Sequence, residues 1–100
     1  MTQLPWLRDR DRFTEECQGN PQTETALSKQ QLAQFLSVSE GAPKQKIRDL
    51  IKTPYCQLTT LQVRAGAIAQ REAYRLEFDE NTWLVVLYES DQYTGYRFAK

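Results

Sequence analysis

The chain predicts an α+β fold, with two or three helices packed on one face of a three- or four-stranded antiparallel β-meander. Two changes in hydrophobic spacing point to it. Between Leu27 and Ile51 the apolar residues recur at helical intervals, and after Tyr55 they recur at every second position. Thr53-Pro54 marks the boundary, because the residue before a proline is pushed out of the helical region. At 100 residues the chain is one domain with one modest core. It divides into an N-terminal helix and loop (1–22), a helical pair (27–53) and an antiparallel sheet (55–99).

Trp6, Arg10, Phe13 and Cys17 share one side of a first helix, with Pro5 tolerated in its first turn and Gln18-Gly19-Asn20-Pro21-Gln22 ending it. The next helix has the clearest local signature. Ser28 caps it, and Gln31 completes a capping box. Leu27 and Leu32 form the matching hydrophobic staple. Leu32, Phe35 and Leu36 supply its apolar face, and Ser37 to Gly41 stops it. A second helix, from about Pro43 to Lys52, buries Ile47, Leu50 and Ile51, so an antiparallel helix pair is expected.

Leu58–Arg64 reads as a strand, with Gly66 as a bulge or bend. Ala67–Ala69 extends it before Gln70-Arg71-Glu72 turns the chain. Tyr74–Phe78, Trp83–Tyr88 and Tyr93–Phe98 follow. If Asp79–Thr82 and Glu89–Gln92 are four-residue loops, Phe78 faces Trp83, Leu76 faces Val85 and Tyr74 faces Leu87. Thr94, Tyr96 and Phe98 then complete that side of the sheet, which is assigned to the core against the helices.

The same register sends Arg75, Glu77, Leu84, Val86, Tyr88, Tyr93, Gly95 and Arg97 to the opposite side. Its apolar centre with a Tyr and Arg rim has the composition of an interface, so Arg75, Leu84, Val86, Tyr88, Tyr93 and Arg97 are expected to bind a partner protein. Two other uses of the sheet stay open. The N-terminal segment, with Trp6 and Phe13, could cover this side, or two chains could pair through the Tyr93–Phe98 edge as a homodimer.

Composition excludes several functions. Thirteen basic and thirteen acidic residues cancel, and each half is nearly balanced, so no net field draws the chain to nucleic acid or to an anionic membrane. The longest apolar run, Trp83–Tyr88, is far too short to span a bilayer. The first residues lack the pattern of a secretory signal, so a soluble cytoplasmic protein is expected. The absence of histidine removes the commonest general base and zinc ligand. Cys17 and Cys56 fit no metal spacing and are expected to be small buried hydrophobes, not a disulfide. Asp79-Glu80 has the composition of a turn, and no glycine-rich phosphate loop is present. No catalytic set, metal site or cofactor is expected.

Lys44, Lys46, Arg48 and Lys52 line a second helix that, with the preceding helix and turn, resembles a helix-turn-helix. A winged-helix-like nucleic-acid-binding regulator is therefore the alternative function. A solvated face opposite Ile47, Leu50 and Ile51 explains the same charges and is favoured. The expected function is non-enzymatic protein binding, as a small adaptor or assembly factor.

Thr53-Pro54-Tyr55-Cys56-Gln57-Leu58, Leu61-Gln62-Val63-Arg64-Ala65-Gly66-Ala67 and Trp83-Leu84-Val85-Val86-Leu87-Tyr88-Glu89 resemble small uncharacterised proteins of cyanobacteria over roughly the C-terminal half. The resemblance implies a cytoplasmic setting and a helper role in a larger photosynthetic or carbon-fixing assembly. It carries no catalytic residues.

Overall fold

The structure is a computed structural model and describes residues 17–19, 21–22 and 24–99. The helix expected over Trp6–Cys17 and the packing of Trp6 and Phe13 lie outside the described residues, Cys17 excepted. The described elements are α1 (Lys29–Leu36), α2 (Lys44–Ile51), β1 (Cys56–Arg64), β2 (Ala67–Leu76), β3 (Asp79–Glu89) and β4 (Gln92–Ala99). The strands form one antiparallel meander in the order β1-β2-β3-β4.

Local chemistry sets the helix ends. The Gln31 amide donates to Ser28 Oγ at 3.1 Å, and the Ser28 amide donates to Gln31 Oε1 at 3.0 Å. Two otherwise orphaned donors at the start of α1 are thereby satisfied, which is the expected capping box. Pro43 stands at the N-cap of α2. Lys52, at φ 61°, ends α2 ahead of Thr53-Pro54.

The strands are longer than their sequence pattern implied. Gln70-Arg71-Glu72 lies within β2 and does not turn the chain, since no glycine or proline interrupts Ala67–Leu76. The turns are the two-residue pairs Ala65-Gly66, Glu77-Phe78 and Ser90-Asp91, not four-residue loops. Ser90 and Asp91 both have positive φ, 51° and 62°, the backbone twist that suits a tight hairpin.

Irregularities just beyond the turns, between Arg75 and Leu76 on the β2–β3 side and between Leu87 and Tyr88 on the β3–β4 side, alter the register by an odd number of residues. Tyr74 pairs with Leu84 and Ala73 with Val85. Asp79 and Trp83 pair with the adjacent residues Leu76 and Arg75, so Glu80, Asn81 and Thr82 are extra on β3. Asp79 holds this irregular stretch, accepting from the Asn81 amide at 3.1 Å and from Thr82 Oγ1 at 2.7 Å. On the other side of β3, Val86 pairs with Tyr96 and Leu84 with Phe98. Compared with the expected arrangement, β3 is turned over while Tyr74, Leu76, Tyr96 and Phe98 keep their side.

The main core joins Leu27, Phe35, Ile47 and Ile51 of the helical half to Tyr74, Leu76, Leu84, Val86, Tyr88 and Tyr93 of the sheet. Leu84, Val86 and Tyr88 are completely buried and Tyr93 is nearly so. The other sheet side holds a smaller cluster, in which Cys56, Leu58, Ala73 and Val85 pack with Cys17, Tyr55, Trp83, Leu87 and Ala99. Trp83, Val85 and Leu87 therefore do not face the helices, and Phe78 sits exposed at its turn.

The two cysteines are not independent hydrophobes. Cys17 and Cys56 form a disulfide. An antiparallel bridge between Gln18 and Gln57 brings their chains together, a proximity invisible in residues separated by 39 positions.

Candidate functional site

The expected partner-binding set divides between the two sides of the sheet. Leu84, Val86, Tyr88 and Tyr93 are sealed in the core with Phe35, Ile47 and Ile51, because the odd register shift turned β3 over. No partner reaches them in the folded chain, and a docking patch there is ruled out. Arg97 pairs with Val85 and Arg75 with Trp83, which places both arginines on the opposite side. Arg97 is exposed, while Arg75 is half-buried with its guanidinium 5.9 Å from the centre of the Tyr55 ring.

The expected basic stripe is also divided. Arg48 reaches down from α2 to β2, where its Nε donates to Glu72 Oε1 at 3.0 Å and its Nη2 to Oε2 at 2.6 Å. Lys44 Nζ lies 3.4 Å from the same carboxylate, donates to Gln70 Oε1 at 3.3 Å and sits 5.0 Å from the centre of the Tyr88 ring. Lys46 and Lys52 are exposed. Of the four cations proposed for nucleic acid, the two nearest the sheet are thus engaged by a carboxylate of the chain itself, and an array of four free phosphate contacts does not exist.

Glu72 is the centre of a buried polar nest. Two tyrosines flank it. Tyr74 Oη donates to the Lys52 carbonyl at 3.1 Å, while Tyr88 Oη is buried without a hydrogen-bond partner among the described residues. Burial raises the ionisation of both phenols above the ordinary tyrosine value, and the charge of Glu72 adds to the effect. Hydrogen bonding to Glu72 raises Arg48 above its usual value. An open groove of about 480 Å³ adjoins the nest, lined by Pro43, Lys44, Gln45, Arg48 and Asp91. The cations that reach it are already paired, so the nest joins α2 to the sheet. Sequence reasoning missed Glu72, which lies 24 residues from Arg48 in a stretch read as a turn.

Exposed apolar surface is found elsewhere. Strand β4 is the last strand of the sheet. The Gly41 amide donates to the Tyr93 carbonyl at 2.6 Å and the Tyr93 amide to the Ala42 carbonyl at 2.7 Å. Beyond this paired start, Tyr96 and Phe98 are 44% and 47% exposed. Their rings meet edge to face with centroids 5.6 Å apart, and Tyr96 also meets Phe35 of α1 at 5.6 Å. Leu36, at the end of α1, is exposed too. These residues make an aromatic ledge beside the strand's outer main chain, flanked by Arg97 on the other side of the sheet. The alternation of the sequence assigns Tyr96 and Phe98 to the core, whereas the structure leaves both nearly half exposed. The available signal was their position in the last strand of a meander, which is necessarily an edge.

Among the described residues, no helix is long and apolar enough to cross a membrane. Nor does any group of three or more Cys, Asp or Glu side chains come together as a metal site among them. No family model, curated protein or solved structure matches the chain.

Proposed function

We propose that this chain is a non-enzymatic protein-interaction module, a small adaptor or assembly factor. It takes an extended segment of another protein onto β4 as a fifth strand. The observation that carries the reading is the stretch of β4 beyond Tyr93 with its exposed Tyr96–Phe98 ledge. An added strand, continuing from where Gly41 and Ala42 pair with Tyr93, gains main-chain hydrogen bonds along the rest of the edge, and its alternate side chains meet the ledge. Aromatic residues of this size supply most of the contact area in such interfaces.

Charge defines the partner. Between Gln92 and Ala99, β4 carries Arg97 and no carboxylate. Two copies of β4 would bring only cations to the shared edge. A segment with apolar residues at alternate positions and an Asp or Glu opposite Arg97 is the better match.

The test is an amide-shift NMR titration of the full chain with synthetic extended peptides that alternate valine and threonine around a single glutamate. Shifts concentrated on β4, weakened at least about tenfold by Phe98→Lys, support the reading. Replacing the peptide glutamate by lysine should weaken binding to wild type and restore it to Arg97→Glu. Shifts away from β4, indifference to Phe98→Lys, or a stable dimer through β4 in sedimentation would each refute it.

A further inference from the structure

The start of the opposite edge of the sheet, at Tyr55 and Gln57, is covered by the chain itself. Cys17, Gln18 and Gln22 run along the outer side of β1 and its approach. The Gln18 amide donates to the Gln57 carbonyl at 2.8 Å, and the Gln22 amide donates to the Tyr55 carbonyl at 2.7 Å. On the inner side, the Tyr55 amide donates to Ala73, so this stretch is paired on both flanks. The Cys17–Cys56 bond fastens the strap covalently at the same place.

We infer that the Cys17–Cys56 disulfide is a redox latch that closes this edge when oxidised and opens it when reduced. Three features support it. The chain has two cysteines, so neither has another partner within the molecule. Cys17 is half-exposed whereas Cys56 is buried, which leaves the Cys17 sulfur as the point of attack. Finally, the main core contains no cysteine, so cutting the bond spares the packing of Phe35, Ile47 and Ile51 on Tyr74, Leu84 and Val86.

The reductant is a dithiol. One of its thiolates attacks Cys17 Sγ, forming a mixed disulfide as the Sγ–Sγ bond breaks, and Cys56 leaves as a thiolate that takes up a proton. The second thiol of the reductant then displaces Cys17, which also leaves protonated. Two electrons and two hydrogens pass to the chain, and the reductant departs as its own disulfide. The strap is then held by main-chain hydrogen bonds without the covalent tie. Its departure uncovers the Tyr55 and Gln57 carbonyls, which extends the β1 edge available for strand pairing back to Tyr55.

Native-state hydrogen exchange on the full chain tests the latch, comparing oxidised protein, protein reduced with a phosphine, and Cys17→Ser. The expected result is a loss of protection by an order of magnitude or more at the Gln18 and Gln22 amides on reduction, with β2 and β3 unchanged. Cys17→Ser should behave as the reduced protein and ignore the phosphine. Unchanged protection at Gln18 and Gln22 would overturn the latch. So would a general loss across β2 and β3, which marks a structural staple, or an oxidised sample that gains no thiols on reduction.

Discussion

Arg48 and Glu72 form a two-point hydrogen-bonded pair across the α2–sheet junction, with Arg48 36% exposed and Glu72 only 1%. The difference in exposure makes the two ends of the pair unequal. Removing Arg48 leaves a buried carboxylate with Lys44 at 3.4 Å as its remaining salt-bridge partner, whereas removing Glu72 leaves two cations that can turn to water. Arg48→Met should cost about 3 kcal/mol and Glu72→Met about 1–2 kcal/mol. The double variant should be more stable than Arg48→Met alone, because no charge is then stranded. Urea denaturation of the three proteins measures the order.

Tyr88 has an aromatic ring packed in the core and a hydroxyl with no hydrogen-bond partner among the described residues. A buried orphan hydroxyl costs about 1–3 kcal/mol of desolvation. Tyr88→Phe keeps the ring beside Lys44 and removes that cost, so the variant should unfold at a higher temperature. A lower Tm would show that the hydroxyl has an essential partner.

The same environment predicts alkaline sensitivity. Tyr74, Tyr88 and Tyr93 all have raised ionisation in the folded chain, first through burial. Below the ordinary tyrosine value of about 10, both folded and unfolded chains keep these protons, and their contribution is fully present. Above it, the unfolded chain releases protons that the folded chain retains, so stability falls as pH rises. Each hydroxyl contributes up to about 1.4 kcal/mol per pH unit until its folded value is reached. Tyrosinate absorbance and near-ultraviolet circular dichroism should therefore show these phenols ionising together with unfolding. Tyr88→Phe should make the decline shallower.

Ser28→Ala removes the hydroxyl that accepts from the Gln31 amide. A loss of about 1 kcal/mol is expected, measured by thermal unfolding. Ser28→Asp, which keeps an acceptor at the cap, should recover most of it.

The helical half was legible because its determinants are local. Ser28 and Gln31 are three residues apart, and Ile47 and Ile51 lie on one helical face, so spacing alone identified them. The strand pattern was equally clear, but its register depended on turns with weak signals and on the bulges beyond them, at Glu80–Thr82 and beside Leu87. Glu77-Phe78 and Ser90-Asp91 lack the Asn-Gly or Asp-Gly pairs that usually mark tight hairpins. The error moved Leu84, Val86 and Tyr88 to the wrong side, and with them most of the expected binding patch. The Arg48–Glu72 pair and the Cys17–Cys56 bond were hidden for another reason: each joins residues that only the folded meander brings together.

The short irregular stretch from Asp79 to Thr82 acts as a phase-setter for the whole domain. Its length decides whether Leu84 or Val85 meets the helices. Deleting Asn81 would advance β3 by half a pleat and exchange the buried hydrocarbon of one side for the tryptophan-bearing other. A change of one residue in the length of this stretch turns the strand that follows inside out.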